Sequence, residues 1–465
     1  MCLKKFLNKN KIQFLMGKKL TEFFIPKKRH KIPLKRSMSG YETEMFILKN
    51  DGSIDHSDVL LPKAKGLSVV PECAKSMIEV LCLPHKRLSS TSLSLVNNLI
   101  DLNELARANQ RYLYPFATYP GVNRPVFRDK QWYAIKRQVL GKERFEYAGK
   151  CCGYHQHYAL PRGMYNPKTK FLNYKTRSKV KRTLIDSYNL LNAIDPVITV
   201  LLQSSPFIDG RHLAKDSRTV VYRGGQKLNF MEGLYGAHQF FGGLSPYKQT
   251  LSDLISTLKR KHEKWRKMLR DNGFGQTKFA KSENILHFSW NPVKVNPKGT
   301  LEYRGGDMNY MSNIFGVATM IKFALREIQR NFMLVVPMDI EMKEAFKVEG
   351  NLVFIPPQTV VRKEMQKLSA YEGLANKKIK IYTEQFFKFV KGITQKDYLP
   401  LLKPLKRMIR TRTTVSEEIL KKARKKGYTE KIPESFAKEI SVFYAEKFSR
   451  DLYKTKELLE KVHVD

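Results

Sequence analysis

The segment Gly40-Tyr41-Glu42-Thr43-Glu44-Met45-Phe46-Ile47-Leu48 constrains this chain more than any other. Small, acidic and apolar residues alternate and then meet the turn signal Asn50-Asp51-Gly52, which reads as a hairpin-like strand. Successive strand side chains point to opposite faces, so Glu42 and Glu44 are neighbours on one face. Two adjacent carboxylates repel, and burying them uncompensated raises their pKa. A hard divalent cation removes that conflict, and Mg²⁺ favours such oxygen ligands. The alternative is a solvated strand face with two exposed acids.

Placement matters because acids are scarce. The 465 residues hold 43 Asp and Glu against 85 Lys and Arg, a formal charge of +42. Hydrophobic residues at 42% exclude wholesale disorder, and the length allows two to four domains of roughly 100–200 residues. So large a charge calls for an anionic partner: nucleic acid, acidic lipid or phosphorylated small molecules. Composition alone favours nucleic acid, but no RRM, KH, zinc-finger or helix-turn-helix pattern supports it. Five cysteines, with one adjacent pair and no C-x-x-C, fit neither a disulfide framework nor a zinc site, and point to a reducing, cytoplasmic setting. No run of about 18 apolar residues and no signal-peptide pattern is present, so neither a membrane span nor secretion is expected.

Three regions follow from texture. Residues 1–38 carry twelve Lys/Arg against Glu22 alone and read as a basic N-terminal segment. Residues 39–340 mix strand and helix signals, with helical spacing over Ser92–Arg111, Lys181–Leu202, Leu251–Asp271 and Asn309–Gln329. Pro196 is expected to kink or start its helix. Residues 341–465 form a basic, mainly helical region, with helices expected over Ser416–Lys426, Glu434–Phe448 and Asp451–Val462. Its densest positive run is Lys403 to Lys426. Tyr-Arg-Gly-Gly occurs at 222–225 and 303–306, too seldom to call a repeat.

The same-face arrangement recurs. His155 and His157 are two residues apart, and Glu302 and Arg304 form a carboxylate–guanidinium pair. Glu79 sits inside the apolar segment Ser76–Leu83 and needs a cation or an arginine if buried. Together these suggest a sheet face collecting Glu42, Glu44, Glu79, His155 and Glu302, with Arg304 nearby. Such a set suits Mg²⁺ ions bridging nucleotide phosphates, since phosphoryl transfer needs chiefly positioning and charge neutralisation. There is no Walker A loop and no kinase signature.

Four motifs stand in order: G-x-E-x-E at 40–44, C-G-x-H-x-H at 152–157, S-S-P-F-x-x-G-R at 204–211 and W-N-P…G-T-x-E-x-R at 290–304. In these the chain resembles the carboxylate–amine ligases of the glutamate–cysteine ligase type 2 family, within the glutamine synthetase-like superfamily. The resemblance implies an α+β fold whose curved, mainly antiparallel sheet forms a funnel with helices packed outside. It implies an ATP- and Mg²⁺-dependent enzyme, Mn²⁺ being an alternative, that activates a carboxylate, such as the γ-carboxylate of glutamate, as an acyl phosphate. An amine such as that of cysteine then displaces phosphate. By motif position Glu42, Glu44, Glu79, His155 and Glu302 become metal ligands, Glu302 and Arg304 the catalytic pair, and Arg304 and Lys294 phosphate contacts. Ser204, Ser205 and Arg211 fall on the substrate side. The basic region beyond about 340 has no counterpart in the family. The alternatives are a non-enzymatic nucleic-acid-binding protein, with the polyanion at the basic flanks, or a ligase acting on a different carboxylate or a protein amine.

Overall fold

The eleven residues Ser39–Lys49 form the central strand, β1. The structure, a computed structural model, describes residues 37–174 and 178–462. The basic segment expected over 1–38 therefore lies outside the described residues, apart from Ser37 and Met38. Around β1 are β2 (Ile54–Asp55), β3 (Val69–Pro71), β4 (Met77–Leu81), β5 (Arg111–Tyr114) and β6 (Gly153–Ala159). Two short hairpins follow, β7–β8 (Tyr165–Asn166 and Phe171–Leu172) and β9–β10 (Phe207–Ile208 and Arg211–His212). The last strands of the main sheet are β11 (Val293–Asn296) and β12 (Thr300–Asp307). The order is β11-β12-β6-β1-β4-β3, with β2 and β5 pairing the distal half of β1. Every pairing in this sheet is antiparallel.

Period-2 geometry divides the sheet into two faces. One carries Tyr41, Tyr154, Gln156, Tyr158 and Tyr303, all buried. The helix α6 (Met311–Asn331) packs there: Phe315 lies 6.0 Å from the Tyr41 ring, and Gln156 Nε2 donates to the Ala318 carbonyl at 3.2 Å. The opposite face carries the acids and histidines.

Before α6 come α1 (Leu88–Ala108), α2 (Gln131–Leu140), α3 (Lys179–Leu202), α4 (Ser217–Arg223) and α5 (Leu251–Asp271). Helix α3 continues through Pro196 rather than starting there. Pro196 has no N–H to offer the carbonyl one turn earlier, and Tyr382 donates to the Ala193 carbonyl at 2.9 Å in the same turn. After α6 come α7 (Lys377–Ile393), α8 (Lys403–Thr411), α9 (Val415–Lys425) and α10 (Glu434–Glu460). The two helices expected over Glu434–Phe448 and Asp451–Val462 are one, because the Ser449-Arg450 step carries neither Gly nor Pro. The apolar stripes of these late helices complete the main core: Tyr382, Phe386, Leu405, Phe436 and Tyr444 belong to one cluster with Met45 and Ile78. Among the described residues no helix is long and apolar enough to cross a membrane.

Candidate active site

Strand register assembles the site. Glu42 stands opposite His155, Glu44 opposite Glu79, and His157 opposite Glu302. Directly opposed residues of antiparallel strands share a face, so three strand pairs converge their polar side chains. Glu42 Oε2 lies 3.2 Å from His155 Nδ1, and Glu42 Oε1 lies 3.2 Å from His157 Nε2. Two donor sets result, Glu42–Glu79–His155 and Glu42–His157–Glu302, each with its ligand atoms within 4.8 Å of one another. Glu42 belongs to both. Thr300 Oγ1 bonds His157 Nδ1 at 2.8 Å, which orients the ring towards the acids.

Electrostatics sort the carboxylates into two kinds. Burial works to raise Glu42, but hydrogen bonds from His155 and His157 outweigh it and hold this acid far below the usual range. Burial likewise opposes Glu302, and Lys294, His157 and Arg304 together keep it ionised. Glu79 is pushed up to about 9 by burial and then by Glu42, Glu72 and Glu44. Glu44 is pushed up to about 8 by burial and Glu72, against the pull of Arg218 and Arg304. His155 is driven down to about 4 by burial and Arg304, so its ring is neutral at pH 7 and can act as a ligand.

The cationic side of the site is built by β12. Its register with β6 shifts between Tyr303 and Gly306, a bulge that holds Arg304 and Gly305. Bulges re-aim side chains beside functional sites; here Arg304 turns back to Glu302, 3.4 Å from Oε1. The bulge is clamped from behind. Arg218 donates to the carbonyls of Arg304 and Gly305 at 3.3 Å each, and Arg223 reaches the Gly305 carbonyl at 3.3 Å. Arg223 also forks onto Asp195 at 2.6 and 2.9 Å, and Tyr303 Oη donates to the same carboxylate at 3.0 Å. A Cβ at Gly305 would stand 2.6 Å from Asp195 Oδ1, so only glycine fits. The two Tyr-Arg-Gly-Gly copies thus meet in space with different jobs: Arg223 locks the bulge and Arg304 faces the acids.

Lys294 Nζ lies 3.4 Å from Glu302 Oε2, beside Arg304 on the same carboxylate. Ser204 and Ser205 are buried behind the face. The Ser204 amide and the Ser205 hydroxyl both donate to Asp307 Oδ2, at 2.9 and 2.7 Å, and the Ser204 hydroxyl donates to the Met308 carbonyl. Arg211 is exposed on β10, where it forms an antiparallel bridge with Lys431.

Five contributors escaped the sequence reading. His157 was seen in the H-x-H pair but not assigned to a donor set. Lys298, in the turn before β12, reaches Glu42 Oε1 at 2.7 Å, and Asn296 donates to Glu302; both sit in the Asn-Pro-Lys-Gly turn that leads into the G-T-x-E motif. Glu72, one residue past β3, is raised by burial despite Lys136 and Arg304. Lys136 on α2 is pushed down to about 8 by burial, with its ammonium 4.7 Å from the Trp290 ring.

The donor sets fit divalent cations on two counts. His155 Nε2 is buried with no hydrogen-bond partner, and Glu79, pushed up by burial and then by Glu42, Glu72 and Glu44, is a carboxylate whose repulsion a cation beside it would relieve. Mixed carboxylate and imidazole donors suit either Mg²⁺ or a softer ion such as Mn²⁺.

No family model matches the chain, and no curated protein matches it. Solved structures do. A bifunctional glutathione synthetase from Pasteurella multocida aligns over 90% of this chain with 13% identity and a TM-score of 0.56. This chain spans about half of it, 53% of its length. A glutamate–cysteine ligase from Francisella tularensis, solved in complex with AMP, aligns over 92% of this chain and 93% of its own, with 14% identity and a TM-score of 0.53. The chain therefore shares the fold of these ligases.

Proposed function

We propose that the chain is an ATP- and divalent-metal-dependent carboxylate–amine ligase. The observation that carries this reading is the pair of donor sets sharing Glu42, set beside Arg304 and Lys294 on a fold shared with a glutamate–cysteine ligase that was solved with AMP. Glu42, Glu79 and His155 would hold one cation, and Glu42, His157 and Glu302 a second. Bound there, the cations would neutralise phosphate oxygens of ATP. Glu44 flanks the first set: its Oε1 lies 3.7 Å from His155 Nε2, and its Oε2 accepts from the Gly153 amide at 2.6 Å.

The proposed reaction has two steps. A substrate carboxylate oxygen attacks the γ-phosphorus, and the bond to the β–γ bridging oxygen breaks, releasing ADP. An amine then attacks the carbonyl carbon, and phosphate leaves with that carboxylate oxygen as the amide forms. Arg304, locked by the bulge and held charged by Glu302, is positioned to neutralise the transferring group. Glutamate as the carboxylate, cysteine as the amine and membership of the type 2 family rest on the four ordered motifs.

An ADP-release assay over a panel of carboxylates and amines tests the reading. ADP should form with Mg·ATP when a carboxylate and an amine are both supplied, and Glu302→Gln should abolish it in a folded protein. ADP formation indifferent to the carboxylate, or undiminished in both Glu42→Gln and Glu302→Gln, would overturn it.

A further inference from the structure

The ligase reading leaves one strongly charged surface without a role. At the end of α9 the exposed cations are Lys421, Arg424, Lys425 and Lys426. Beside them lies the β9–β10 hairpin, which the chain extends: the His212 amide donates to the Glu430 carbonyl at 2.8 Å, and the Ile432 amide to the Gly210 carbonyl at 2.9 Å. This register sets Arg211 directly opposite Lys431, both exposed. Lys215, three residues past the hairpin, is tied to α9, its carbonyl accepting from Ser416 Oγ at 2.5 Å and its ammonium pairing with Glu417. The hairpin and the end of α9 therefore form one patch.

The local acids do not neutralise it. Glu417 is taken by Lys215, Glu418 pairs with Lys447 at 2.9 Å, and Asp209 pairs with Lys150 at 2.6 Å. Glu430 is the exposed carboxylate within the patch. Cations in the last turn of a helix complement its dipole, which accounts for part of the α9 group. Like charges directly opposed across an antiparallel bridge are destabilising, and the register here opposes Arg211 and Lys431 with no carboxylate between them in the ion pairs of the patch.

We infer that this patch is a docking surface for the phosphate backbone of double-stranded nucleic acid. Charge spacing selects the partner. Residues 421–426 rise about 1.5 Å each, so the four cations span roughly 8 Å of helix axis. A duplex offers one negative charge per about 1.7 Å of axis. An extended peptide of acids alone offers one per about 3.3 Å, with alternate residues facing away. An anionic membrane surface is disfavoured because the apolar stripe of α9 (Ile419, Leu420, Ala423) is buried in the core and cannot insert. Single strands need exposed rings to stack on. Tyr428 is half-buried against Phe436 at 5.1 Å, and Phe443, although 38% exposed, has its face covered by the Lys422 ammonium at 3.4 Å, which leaves the His212 imidazole as the exposed ring of the patch.

The test uses the full chain and a labelled 20-bp DNA duplex, read by fluorescence anisotropy from 50 to 200 mM salt, for wild type and for the triple variant Arg424→Glu, Lys425→Glu, Lys431→Glu. Three lost phosphate contacts should reduce the log–log salt slope by about 3 and weaken binding at 100 mM salt by more than about tenfold. The variant should keep any ADP-forming activity, so this test stands or falls separately from the ligase reading. An unchanged slope in the variant would overturn the inference, since binding would then come from other basic segments. So would tighter binding of poly-glutamate or of vesicles rich in anionic lipid than of the duplex.

Discussion

Lys261 on α5 offers a measurement of how firmly the core behind the site is closed. Its side chain is 4% exposed, and Nζ meets Ser289 Oγ at 3.4 Å and the side-chain oxygen of Asn291, which adjoins Trp290 and Pro292 ahead of β11. Burial, with a further push from Lys248, lowers its pKa from 10.5 to about 7. Below pH 7 both folded and unfolded chains carry the proton, and the folded state bears the whole penalty, about 5 kcal/mol at roughly 1.4 kcal/mol per pH unit. Between 7 and 10.5 the unfolded chain holds a proton that the folded one has released, so stability climbs with pH. The penalty is about 4 kcal/mol at pH 7 and about 2 kcal/mol at pH 9, a gain of about 2 kcal/mol from this one group. Lys261→Met abolishes the gain, because methionine carries no titrating charge. Urea unfolding of both proteins at pH 7 and pH 9 reads it out: the stability advantage of the variant should shrink by about 2 kcal/mol on going to pH 9. An advantage that is the same at both values would refute the reasoning, and would mean that water reaches the ammonium.

Three further outcomes follow from the site. Glu42→Gln should weaken both cation positions by more than about 100-fold, since even partners one step removed from a metal cost 10–100-fold, whereas Glu79→Gln should weaken only one; Mn²⁺ titration followed by electron paramagnetic resonance separates the two. Arg223→Met leaves buried Asp195 without its counter-ion and should cost about 3–5 kcal/mol in urea unfolding, with much of the loss recovered when Asp195→Leu is added. Gly305→Ala forces a methyl against Asp195 and Arg223, so it should cost about 1–3 kcal/mol and, by shifting the bulge, lower turnover more than it lowers stability.

The strand beginning at Gly40 was legible because period 2 and a following apolar run both identify a half-buried strand, and the same rule set His155 and His157 on one strand face. Spacing could not say which strands are neighbours. The register that puts His157 rather than His155 opposite Glu302, and so splits the acids into two donor sets around Glu42, is a property of long-range pairing. Glu72 and Lys136 were invisible for a related reason: one lies in a loop and one on a helix of mixed composition, and only the fold brings their charges near Arg304. The Ser-Ser-Pro-Phe motif was legible as a motif, but the buried Asp307 that takes hydrogen bonds from both serines lies a hundred residues on. The late helices were visible in their spacing. Their membership of the main core was not, because a basic outer face says nothing about what the buried stripe packs against.

The proposed acyl phosphate leaves an isotopic record. With a substrate carboxylate labelled with ¹⁸O, the oxygen that attacks ATP departs with phosphate when the amide forms. Mass spectrometry of the phosphate released during a ligation should find one ¹⁸O per amide. Phosphate without the label, formed alongside the amide, would contradict the account at its centre.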